Sequence, residues 1–89
     1  MANPHPIGRP PLPRARLTPE FLEAVNTCPV PNGQLSGAAG WKWRTNMLMV
    51  LRDSKGTAMS HRTRRRLLAL ARLVGYAGPL TVDGDLVAS

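Results

Sequence analysis

With 89 residues, the chain has room for one small domain and a modest core, too little for a deep enzyme cleft with its own supporting shell. Twelve Lys and Arg face five Asp and Glu, giving a net charge of +7 and a pI near 11.4, a balance suited to a polyanionic partner such as DNA or RNA. The single cysteine, Cys28, excludes an intrachain disulfide and a cysteine-based metal site, and His5 and His61 have no ligand spacing around them.

The opening "MANPHPIGRPPLP" lacks an apolar leader core, and no later run has the length of a membrane span. A cytoplasmic protein without metal, cofactor or membrane contact is therefore expected. Residues 1–16 form a Pro-rich basic arm with Arg9, Arg14 and Arg16. Proline at this density prevents helix and resists sheet, so the arm is expected to be extended and largely unpacked. Three roles stay open for it: entry into a DNA minor groove, docking of "PPLP" in an aromatic groove of a protein, or simple disorder.

"LTPEFLEAVNTC" has the signature of a helix start. Thr18 is the N-cap, Pro19 the first helical residue, and Glu20 and Glu23 complement the positive helix end. Leu17 and Leu22 are spaced for a hydrophobic staple, and Phe21, Leu22 and Val25 make the apolar face. "CPVPNG" reads as turn, with Asn32-Gly33 closing it. "QLSGAAG" follows as about two helical turns starting at Gln34 and stopping at Gly40. "WKWRTNMLMVLR" predicts a third helix over about 41–52, with Met49 on its buried side. "DSKGTAM" reads as loop. In "SHRTRRRLLALARLVGYAG", Ser60 caps a fourth helix whose apolar stripe is Leu67, Leu70, Ala71 and Val74, ended by Gly75. The tail "LTVDGDLVAS" fits either a hairpin through Asp83-Gly84 or an ordinary terminus. The expected fold is all-α: a four-helix domain over 17–79, flanked by the arm and a tail over 80–89.

Two short helices joined at a glycine, the second starting with polar and aromatic residues, describe a helix-turn-helix. Leu35 is the apolar anchor, Ser36 and Ala39 the small crossing residues, Gly40 the turn and Trp41 the apolar plug. These residues resemble the bihelical signature of the Cro/C1 and lac-repressor-type DNA-binding domains. Ser60, Thr63, Arg64, Leu67, Leu73, Gly75 and Tyr76 resemble the segment that follows the recognition helix in the lac-repressor type. The likeness covers about residues 33–79. Asn46, Gly37 and the long "DSKGTAM" loop depart from the pattern, and nothing after Tyr76 is similar to that family's hinge.

The resemblance implies a sequence-specific binder of double-stranded DNA, a small repressor-like transcriptional regulator of phage style that works as a possible homodimer. Base contacts then fall to Lys42, Trp43, Arg44, Thr45 and Asn46 at the start of the recognition helix. Phosphate contacts fall to Gln34, Arg52, Lys55, Arg62, Arg64, Arg65 and Arg66. Two alternatives are a basic module that binds a host protein such as RNA polymerase, through Trp43, Met47/Met49 and the arm, and an RNA-binding module. The five carboxylates are Glu20, Glu23, Asp53, Asp83 and Asp85, and none is backed by a histidine or a phosphate-binding glycine loop, so no enzyme is expected.

Overall fold

The computed structural model describes residues 14–53 and 56–88. Arg9 and Lys55 lie outside the described residues. Four helices carry the fold: α1 (Pro19–Thr27), α2 (Asn32–Ala39), α3 (Arg44–Arg52) and α4 (His61–Val74). Two antiparallel strand pairs complete it, β1 (Arg14–Ala15) with β2 (Thr57–Ala58) and β3 (Gly78–Pro79) with β4 (Val87–Ala88). The all-α expectation is therefore corrected to four helices framed by small sheets.

The helix ends follow local chemistry. The Thr18 side chain accepts from the Phe21 N–H at 3.3 Å, and the Ser60 side chain accepts from the Thr63 N–H at 3.2 Å. Helix α2 ends at Gly40 with φ +110°, the left-handed region that disfavours a side chain. There the Gly40 N–H donates to Gly37 and the Trp41 N–H donates to Ser36 at 2.8 Å, the paired bonds of a Schellman stop. Helix α4 repeats it: Gly75 donates to Arg72, and Tyr76 donates to Ala71 at 2.8 Å. The α3 end is closed differently, by the Thr57 hydroxyl donating to the Val50 carbonyl at 2.7 Å.

Two helix starts differ from expectation. Helix α2 begins at Asn32, because the Pro31 carbonyl already accepts from the N–H groups of Gln34 and Leu35. Asn32-Gly33 therefore form its first turn, which the sequence presents as a loop. Helix α3 begins at Arg44, because the stop at Gly40 engages the Trp41 N–H and sends Trp41–Trp43 through a non-helical link; Trp43 is extended at φ −128°. This start sets the phase of α3. Met47 and Leu51 point inward at i, i+4, and Met49, two residues from Met47, turns outward and is 71% exposed. The expected burial of Met49 is corrected.

The core is one cluster in which Phe21, Leu35, Met47, Leu67, Leu70 and Leu80 are fully buried. The α4 stripe is as expected, with Leu67, Leu70 and Ala71 buried and Val74 packed at the edge. The core continues past both expected domain limits. Ala15 is buried, and β1 passes alongside β2 while the Arg16 carbonyl accepts from the Val82 N–H at 2.8 Å. The end of the basic arm is thus packed and paired.

The tail takes the hairpin alternative, with Leu80, Thr81, Leu86 and Ala88 buried. At its tip the Asp83 carboxylate accepts from the Asp85 N–H at 3.0 Å. That bond, then one with the Thr81 side chain, holds the Asp83 carboxyl below its ordinary 3.8. A lowered native pKa means that the turn is supported above the ordinary value and loses that support as pH falls through the native one. The Asp85 amide resonance is expected to titrate below pH 3.8, and Asp83→Asn is expected to abolish that step.

Candidate nucleic-acid interface

The predicted base-contact residues occupy the link between α2 and α3 and the first turn of α3. Lys42 and Trp43 precede the helix instead of lying within it, since α3 starts at Arg44. Arg44, Thr45 and Asn46 make up its first turn, and all five residues are exposed. Trp43 is 61% exposed, with the Lys42 ammonium 5.8 Å from its ring centroid. Trp41, one residue before Lys42, is buried. This alternation fixes the link: one tryptophan anchors it in the core and the next stands in solvent.

Beneath the link, α2 fits closely. Leu35, Ser36 and Ala39 are all buried, and the Ser36 hydroxyl donates to the Gly33 carbonyl at 2.9 Å, so its small polar side chain is satisfied. Small residues at 36 and 39 let neighbouring elements approach the α2 backbone.

The arginines at the start of α4 divide into two groups. Arg66 crosses to the α2–α3 link. Its guanidinium lies 5.8 Å from the Trp41 ring centroid, and its stem passes over Gly40, where an added Cβ would meet Arg66 Cγ at 3.5 Å. His61, Arg62, Arg65 and Arg66 line a shallow groove with Ala39 and Gly40. The C-terminal end of α2 opens into this groove, and its negative dipole end favours cations there. Three of the four arginines at the positive end of α4 thus share a groove with the C-terminal end of the neighbouring helix.

Arg64 belongs to the other group. Its guanidinium binds the Asp85 carboxylate at 2.6 Å and its Nε donates to the Met59 carbonyl at 3.3 Å, tying α4 to the hairpin. One of the arginines expected on phosphate is therefore engaged in the fold. Arg14 is similar: it donates to the Gly56 carbonyl at 2.8 Å and stands 3.5 Å from Asp53. These are the two ion pairs among the described residues, so Lys42, Arg44, Arg62, Arg65 and Arg66 have no carboxylate partner there.

The remaining candidates lie apart. Gln34 is exposed on the first turn of α2, where its own N–H is already taken by Pro31. Arg52 ends α3, and it lines a different groove together with Arg16. The structure therefore gathers His61, Arg62, Arg65 and Arg66 in one groove at Ala39 and Gly40, and Arg66 reaches Trp41 at the start of the exposed run that carries Lys42 and Arg44. Sequence reasoning missed His61 and the Arg66–Trp41 contact, since no periodicity links positions on different helices.

Comparison with protein-family models, curated proteins and solved structures returns no match. Among the described residues, no group of three or more His, Cys, Asp or Glu is placed to hold a metal ion. No helix among them is long and apolar enough to cross a membrane.

Proposed function

We propose that the protein is a helix-turn-helix binder of double-stranded DNA and acts as a small, repressor-like transcriptional regulator. The observation that carries the reading is the presentation of α3: a buried Trp41 and a tight glycine stop precede the helix, its polar, basic first turn faces solvent, and Arg44, Arg62, Arg65 and Arg66 have no carboxylate partner among the described residues. In this reading α3 enters the major groove, a fit set by its width. Arg44 and Asn46 read base edges, because their donor and acceptor patterns suit guanine and adenine. Arg62, Arg65 and Arg66 hold phosphates, and Arg66 links that grip to the reading helix through Trp41.

The test is a titration of a random duplex pool at two salt concentrations, followed by selection of preferred sequences. Binding is expected to weaken steeply with salt, with a slope that falls by about one for each phosphate contact removed. Arg65→Ala is expected to weaken all duplexes alike, and Arg44→Ala to cost about 1–3 kcal/mol on the preferred sequence and little on the others. No binding at low salt, or binding indifferent to salt, overturns the reading. Identical behaviour of the two variants overturns the division of roles.

A second reading, contact with a host protein, is favoured by the exposure of Trp43 and Met49. Met47, expected on that surface, is fully buried and takes no part in it.

A further inference from the structure

A second groove lies between α1 and α3, away from the basic link. It encloses about 380 Å³ and is lined by Leu17, Leu22, Leu48 and Leu51, with Arg16, Arg52, Asn26 and Asp53 around them. Three of the leucines, Leu17, Leu22 and Leu48, are only partly buried, so the groove is an apolar channel open to solvent. Arg16 and Arg52 make no ion pair among the described residues, whereas Asp53 is held by Arg14. An apolar lining that includes two such arginines suits a molecule with an aliphatic body and one anionic head.

We propose that this groove binds a small amphipathic carboxylate, its aliphatic body against the four leucines and its head on Arg16 and Arg52. The floor has no aromatic ring to select a flat ligand. The chain's own segment before Arg14 carries Arg9 and no carboxylate side chain, so it does not complement the rim. The site is independent of the DNA reading. Its consequence for regulation rests on that reading: Leu48, Leu51 and Arg52 belong to α3, so an occupied groove and a reading helix share one element.

The test uses the full chain without DNA, titrated with monomeric decanoate and followed by leucine methyl NMR. Methyl resonances of Leu22 and Leu48 are expected to shift saturably, while those of Leu70, in the sealed core, stay in place. R16A/R52A is expected to raise the half-saturation concentration by about tenfold or more, the scale of a lost charge-assisted contact. R62A/R65A removes as much charge from the basic region and is expected to change it by less than about twofold, a screened long-range effect.

Decanol and decyltrimethylammonium are expected to bind more weakly than decanoate. Equal binding of the cationic amphiphile, or equal losses from the two double variants, overturns the proposal by reducing it to general hydrophobic or charge attraction. So does the absence of saturation. A chain that self-associates through the groove, with a mass of two copies that R16A/R52A restores to one, also overturns it, because the groove is then an interface. DNA binding is read separately, so failure of either proposal leaves the other measurable.

Discussion

Trp41→Ala is expected to lower unfolding stability by about 3–5 kcal/mol, the range for truncating a buried aromatic residue. A domain this small has about 5–10 kcal/mol in total, so the variant loses roughly a third or more of its stability. Three losses combine. The indole leaves a cavity in the core cluster. Arg66 loses the ring over which its guanidinium lies. The link loses the anchor that sets where α3 begins, although the Trp41 N–H bond to Ser36 involves only backbone.

Trp43→Ala is the matched control. Its side chain is exposed, and a change of about 0.5 kcal/mol or less is expected, as for most surface sites. Urea unfolding of the two variants gives the comparison directly. A larger loss from Trp43→Ala would mean that the assignment of plug and exposed residue is reversed. Under the DNA reading, Trp43→Ala keeps the fold and tests base contact, whereas Trp41→Ala alters the presentation of α3 itself.

The parts of the fold that were legible are those that local chemistry settles. Thr18 and Ser60 cap where their spacing says, because a hydroxyl needs only its own helix's N–H groups. Gly40 and Gly75 stop their helices for an equally local reason, the left-handed φ. The α4 stripe is readable because helix period and burial coincide over its 14 residues. The run from Trp41 looks helical because Leu48 follows Trp41 at i+7 and Val50 follows Met47 at i+3; the bond from Trp41 to Ser36 overrides that pattern and moves the start to Arg44. Strands β1 and β2 were illegible at two residues each, too short for alternation to register. The candidate site was half legible. Lys42–Asn46, singled out by the helix-turn-helix resemblance, are exposed, but Arg64 pairs with Asp85 21 positions away, which no spacing rule announces.

Leu80→Ala is the second large effect, at about 2–5 kcal/mol for a leucine truncated in the core. Its reach is wider than its own contacts, because residues 79–80 clamp the start of α1. The Thr18 hydroxyl donates to the Pro79 carbonyl, 61 positions away, at 2.9 Å and the Thr18 N–H donates to the Leu80 carbonyl at 2.9 Å. Thr18 thus caps α1 with its oxygen as acceptor while the hairpin fixes the same residue from outside. Loosening Leu80 frees that clamp, so amide exchange is expected to accelerate at Phe21 and Leu22 in α1 as well as at Leu86, whose N–H donates to the Thr81 hydroxyl at 3.1 Å.

Val82→Ala, two residues on and largely exposed, is expected to change stability by about 0.5 kcal/mol or less. Leu86→Ala combined with Leu80→Ala is expected to cost less than the sum of the single variants, since both side chains belong to one buried cluster and the second truncation enters a site already loosened. Exchange that accelerates only within residues 78–88 would show the hairpin to be an appendage. Acceleration in α1 would show that the hairpin secures the helix whose other face, at Leu22 and Asn26, lines the leucine groove.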